Sequence, residues 1–116
     1  MLNINKMTIA GSLGADPELR NTQGGKEVCT IRVATNDYHG SGDNREQVTE
    51  WHTVVLWDQF ARFASEHLRK GANVYVEGRV QTRKWKDKEG KDQYSKEVIA
   101  DEFQAITRIG KQENKG

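Results

Sequence analysis

Apolar side chains recur at every second position in four separate stretches of this chain, and a period of two belongs to strands with one face buried. Met7, Ile9 and Leu13 hold odd positions in the first stretch, and Cys29, Ile31 and Val33 in the second. Val54 and Leu56 alternate within Thr49 to Trp57, and Val74, Val76 and Val80 alternate in the fourth. The longest unbroken apolar run is the four residues Val54 to Trp57, against the roughly 20 that a membrane span requires. No segment is therefore expected to cross a bilayer. The chain is predicted to fold as a half-buried sheet.

Turn residues punctuate that pattern. A strand over Ile4 to Leu13 is expected to end at Gly14-Ala15-Asp16-Pro17, and after a turn at Gly24-Gly25 a β-branched strand runs from Glu27 to Thr35. Asp37 to Gln47 is rich in Gly, Ser, Asp and Asn and is expected to be a flexible loop. The third strand is Thr49 to Trp57. Asp58 is expected to cap a helix that buries Phe60, Phe63, Ala64 and Leu68 and stops at Gly71 after Arg69 and Lys70. The fourth strand runs from Val74 towards Trp85, Asp87-Lys88-Glu89-Gly90 reads as a hairpin tip, and the fifth covers Tyr94 to Ile109. Five strands with one α-helix between strands 3 and 4 is the element order of the OB-fold, a mainly all-β Greek-key barrel.

Three tryptophans sit on these strands. Trp51 and Trp57 are six residues apart, so alternation projects both rings from one face. In Arg79-Val80-Gln81-Thr82-Arg83-Lys84-Trp85 the same rule sets Arg79, Arg83 and Trp85 on one side and Val80 on the other. Rings beside fixed cations suit a single-stranded nucleic acid, which offers unstacked bases to the rings and phosphates to the cations. The rings have an alternative use as ordinary core, since tryptophan is highly buried on average. A charge run, likewise, is commonly just a solvated face.

Length and composition bound the rest. A chain of 116 residues has room for one modest core, so residues 1–109 are read as one domain and residues 110–116 as a short disordered tail. The net charge is +1, but residues 79–96 hold seven Lys or Arg and three Asp or Glu, an excess of 7 − 3 = +4. Cys29 is the one cysteine, so it forms no internal disulfide and is expected to be a buried strand residue. His39, His52 and His67 lack metal-ligand spacing, so no metal is expected. There is no paired-carboxylate motif and no phosphate-cradling Gly-rich loop before a helix, so the chain is read as non-enzymatic and without a cofactor. The first residues lack the charged start and apolar stretch of a secretory signal, which predicts a cytoplasmic protein.

Several linked stretches, in order, carry a resemblance. Asn5-Lys6, Gly11-Ser12-Leu13-Gly14, Asp16-Pro17-Glu18-Leu19-Arg20, Thr49-Glu50-Trp51-His52 and Val54-Val55-Leu56 are followed by Ala64-Ser65-Glu66-His67-Leu68-Arg69-Lys70-Gly71, Val74-Tyr75-Val76-Glu77-Gly78 and Thr82-Arg83-Lys84-Trp85. Over about residues 4–109 the chain closely resembles the bacterial single-stranded DNA-binding protein (SSB) family. The resemblance implies that Trp51, Trp57 and Trp85 stack on DNA bases, with Tyr38 contributing. Lys6, Lys70, Arg79, Arg83, Lys84 and Lys86 are the cations assigned to the DNA backbone. For His52, which faces away from Trp51, the residues alone read as a partly buried core histidine. The resemblance implies instead that His52, Tyr75 and Asn5 lie at subunit contacts of a homotetramer, with a dimer as the alternative.

The resemblance is incomplete. Relatives commonly end in an acidic, hydrophobic tip that recruits replication and repair enzymes, and a tail-less member without that tip is expected here. Thr53 and Gln59 stand where relatives often carry Lys or Arg, and Asp37 to Gln47 has one arginine against Asp37, Asp43 and Glu46. The leading expectation is a protein that coats single-stranded DNA in replication, recombination or repair with little sequence preference. A primosomal-type adaptor that mainly binds partner proteins is the alternative. An RNA- or oligosaccharide-binding OB domain is a third reading, but sugar binding gives no reason for Arg79, Arg83, Lys84 and Lys86.

Overall fold

The computed structural model describes residues 2–106 and contains six strands and one α-helix. In chain order these are β1 (Met7–Leu13), β2 (Arg20–Asn21), β3 (Glu27–His39), β4 (Glu46–Trp57), α1 (Gln59–His67), β5 (Asn73–Lys86) and β6 (Asp92–Ile106). The far end of the expected fifth strand and the expected tail lie outside the described residues. The sheet order is β1-β5-β6-β4-β3-β2, and β1 also pairs with β3, through Ser12↔Ala34 and Leu13↔Val33, which closes the sheet into a barrel. The sixth strand, β2, is a two-residue addition to the edge of β3. Among the described residues no helix is long and apolar enough to cross a membrane.

The period-two pattern fills the barrel as expected. Ile9, Leu13, Cys29, Ile31, Val33, Val54, Leu56, Val74 and Val76 form one buried cluster with Val98 and Phe103 of β6. Full burial of each such Val, Leu or Ile contributes about 1.5 to 3 kcal/mol relative to exposure. Burial also pushes the Cys29 thiol pKa up, as suits an inert core residue.

The helix is rotated from its expected phase. Ala61, Ala64 and Leu68 are its contribution to the core, whereas Phe60 is half-buried and Phe63 exposed. Small residues let α1 sit close against the barrel, and the two phenyl rings move to the rim, 6.2 and 6.3 Å from the Phe103 ring. Asp58 is not a side-chain cap. Its backbone has φ 55° and ψ −120°, away from the extended conformation that an N-cap adopts. Its amide donates to the Glu27 carbonyl and its own carbonyl accepts from Arg62, so the residue turns the chain sharply out of β4. At the other end the helix stops short of the expected Gly71: α1 ends at His67 with Leu68 extended at the C-cap, and the Arg69 guanidinium beyond it donates to the Leu68 carbonyl at 2.8 Å.

The expected flexible loop over Asp37 to Gln47 is strand at both ends. The β3–β4 ladder continues through Asp37↔Val48, Tyr38↔Gln47 and His39↔Glu46, leaving a tip with a short 3-10 turn at Gly42–Asn44. Ladder hydrogen bonds need only backbone, so pairing runs on past the last apolar side chain. Thr49 Oγ1 donates to Asn36 Oδ1 at 2.7 Å, and the Arg45 guanidinium lies 4.3 Å from the Tyr38 ring centre. A second arm is formed by β5 and β6, which pair as far as Lys86↔Asp92. Its tip is the expected Asp87 turn, whose carboxylate accepts from the amides of Glu89 and Lys91. Where the arms leave the barrel, β4 and β6 touch only through the parallel pairs Val54↔Val98 and Val55↔Ile99, so a cleft opens between them.

Candidate nucleic-acid interface

Strand parity puts Trp51, Thr53, Val55 and Trp57 on the outer surface of the barrel, opposite the core residues Val54 and Leu56. The relative exposures of Trp51, Trp57, Trp85 and Tyr38 are 47%, 36%, 41% and 53%. Rings that open to water are not core. Two of the indole rings are also held. The Arg32 guanidinium stands 4.9 Å from the Trp51 ring centre, and the Trp85 indole N–H donates to Ser95 Oγ at 2.9 Å.

Beyond β6 from Trp57 in the sheet order, β5 adds charge to the same surface. Arg83 Nε donates to Glu97 Oε2 at 3.0 Å, and the Glu97 side chain is only 10% exposed. That bond occupies the inner edge of the guanidinium and leaves its two terminal amino groups for an incoming anion. One groove is lined by Arg83, Glu97, Thr53 and Trp57 together with Arg20 and Thr30. Arg20 Nη2 donates to Thr30 Oγ1 at 3.4 Å.

The structure thus brings together Trp51, Trp57 and Arg83, with Trp85 two residues further along the same side of the arm. It separates others from them. Lys84 and Lys86 alternate to the reverse side of the arm, where both pair with Asp92, at 3.4 and 2.8 Å. Arg79 lies 4.0 Å from Asp101. Lys6 sits 3.5 Å from Glu77. The Glu77 carboxyl is held below the usual carboxylate range, first by the hydrogen bond that Tyr75 donates to it and also by Lys6. Lys70 is exposed just beyond α1, with its backbone amide on Asp16 Oδ1 at 2.7 Å. The side chain of Asn5 bonds both polar groups of Val80, at 2.8 and 2.9 Å, extending the β1–β5 ladder. His52 is half-buried, with Nε2 2.9 Å from Thr35 Oγ1.

Arg20, Arg32 and Arg45 were not among the expected site residues. Arg32 was readable, because it alternates with Ile31 and Val33 on the outward side of β3. It is also the register partner of Thr53, so a cation stands across the ladder from the position where relatives often carry one. Gly14 is a further addition. A Cβ there would lie 2.5 Å from Cζ3 of Trp51, which shows that the ring rests directly on the glycine. Since the obstructed atom belongs to a movable ring, Gly14→Ala is expected to displace Trp51 and weaken oligonucleotide binding by about 5-fold. The thermal midpoint should stay within about 4 °C. Unchanged affinity in a titration with oligo-dT would remove Trp51 from the binding surface.

The model of the single-strand binding protein family matches residues 4–106. The single-stranded DNA-binding protein of Rhizobium meliloti (strain 1021) is 43% identical over 105 residues, covering 87% of this chain and 60% of that protein. Single-stranded DNA-binding protein 1 of Xylella fastidiosa (strain 9a5c) is 43% identical over 116 residues, covering 98% of this chain and 84% of that protein. The chain therefore spans less than two thirds of the first relative's length and most of the second's. Among solved structures, the Plasmodium falciparum SSB complex with ssDNA matches with a TM-score of 0.81 at 28% identity, covering 92% of this chain and 98% of that one. The barrel is accordingly an OB-fold.

Proposed function

The chain belongs to the single-strand binding protein family, and we propose that it binds DNA single strands by stacking bases on Trp51, Trp57, Trp85 and Tyr38 while arginines hold the phosphates. The observation that carries this reading is the exposure of three indole rings on the outside of a barrel whose interior is filled by smaller apolar residues. Stacking is indifferent to base identity, because every base has a π-face, and alanine substitution reads it at about 1 to 3 kcal/mol per base. Arg83, fixed through Nε by Glu97, and Arg20 supply cations within the groove. A paired duplex hides its base faces and has nothing to offer the rings. Binding is non-catalytic, and its use is to cover strands exposed in replication, recombination and repair in the cytoplasm.

Assembly as a homotetramer is part of the same proposal. Support comes from the low apolar content, 34% of residues, which favours completing a core by association. Native mass separates a tetramer, four times 13.2 kDa, from a dimer.

Intrinsic tryptophan fluorescence tests the binding mode. Oligo-dT is expected to quench it strongly and duplex of equal length hardly at all. The log of the binding constant should fall with log salt at about −0.7 per phosphate contacted. Absent quenching, or equal quenching by duplex, would return the rings to a structural role.

A further inference from the structure

Two grooves border the rings of β4, one beside Trp51 and one beside Trp57, and Thr53 and Glu97 line both. The register explains this. Val54 and Val55 of β4 pair with Val98 and Ile99 of β6, so one step back, where the strands part, Thr53 stands across from Glu97. Thr53 is two residues from Trp51 and four from Trp57, about 7 and 13 Å along β4. A strand that reaches from one ring to the other therefore crosses Glu97. Among the described residues it is the only acidic one lining either groove.

A carboxylate in that place repels the phosphates that Arg20 and Arg83 attract. Its side chain is only 10% exposed, and one of its oxygens is accounted for, since Oε2 accepts from Arg83 Nε at 3.0 Å. Oε1 accepts no hydrogen bond among the described residues. None of the buried side-chain oxygens or nitrogens there is both sealed from solvent and unpartnered, so Oε1 opens to the grooves.

Holding Arg83 takes one oxygen. The other is a charged acceptor with no donor of its own. It keeps phosphate off the groove floor and admits a base edge that can donate. The amino group of cytosine, at a corner of its ring, suits a carboxylate, whereas thymine has no amino group and sets its one ring N–H between two carbonyl oxygens that a carboxylate repels. Building on the stacking mode proposed above, we propose that Glu97 reads one base of the bound strand. Oε1 accepts a hydrogen bond from the amino group of the base lying between Trp51 and Trp57. That single position favours an amino-bearing base such as cytosine over thymine, while the stacked positions stay indifferent.

The test compares strands of about 8 nucleotides, within the range of about 4 to 16 held by one OB-fold. One is oligo-dT, another carries a single central dC, and a third carries at the centre a pyrimidinone, which is cytosine without its amino group. Tryptophan quenching of the full chain should give an affinity about 5-fold higher for the dC strand than for the other two, as suits one hydrogen bond to a charged acceptor. In Glu97→Gln the side-chain oxygen keeps Arg83 and the amide NH2 turns to the groove. The preference for dC should then vanish, while oligo-dT binds at least as tightly as it does to the parent. Equal affinity of the parent for all of these strands would overturn the base contact and leave the stacking face standing, with no variant needed. An equal loss on every strand in Glu97→Gln, with the preference for dC kept, would overturn it in favour of a residue that only holds Arg83. Absence of quenching of the parent by any strand would overturn both readings together.

Discussion

Replacing Trp51 and Trp57 together by alanine is expected to weaken oligo-dT binding by about 2 to 6 kcal/mol, the sum of two stacked bases at about 1 to 3 kcal/mol each. Near-additivity follows from their placement. Six residues along one strand separate the rings by roughly 20 Å, and they have different neighbours, Arg32 and Gly14 for Trp51 and the Arg20–Arg83 groove for Trp57. Both rings face water in the free protein, so their removal leaves no core cavity and the fold should melt near the parent temperature. Fluorescence anisotropy of a labelled strand, alongside thermal melts, measures both quantities. An affinity within a factor of three of the parent would mean that bases do not stack on β4.

The second large effect concerns folding. At Gly11, β1 passes from its ladder with β5 to the two pairs with β3 that close the barrel, and a Cβ there would lie 2.1 Å from the Ala34 carbonyl oxygen. Backbone cannot swing aside as the Trp51 ring can beside Gly14. Gly11→Ala must part β1 from β3, at a cost of about 3 kcal/mol or more. For a domain of this size that lowers the midpoint by about 12 to 24 °C, at about 4 to 8 °C per kcal/mol. A calorimetric midpoint within a few degrees of the parent would show that the seam tolerates a wider spacing. The two glycines thus separate binding from stability: one substitution moves a ring, the other a strand.

What alternation governs was legible beforehand. The core residues of β1, β3, β4 and β5, the outward pairing of Trp51 with Trp57, and the helix after the third long strand all follow from period two giving way to 3.6. Features set by backbone or by three-dimensional neighbours were less legible. The polar composition of Asp37 to Gln47 hid a ladder because strand pairing does not require apolar side chains. Phe60 and Phe63 outweighed Ala61 in a hydrophobic count, although only the small residue fits where helix meets barrel. Asp58 has the composition of a cap but serves a turn. Lys84 and Lys86 joined Arg83 when charge was counted along a window, whereas parity, applied residue by residue, already set them on the other side. Arg20 came to the groove through β2, whose two residues carry no periodic signal.

The arm built by the outer half of β3 and β4 has a thermodynamic meaning. Asp37, Tyr38 and His39 are locked opposite Val48, Gln47 and Glu46 before any ligand arrives. Six residues ordered only on association would draw on the order of 10 kcal/mol of backbone entropy from the interaction. Here that entropy is lost at folding, and Tyr38 is presented on a rigid support, so more of the stacking energy is available as affinity.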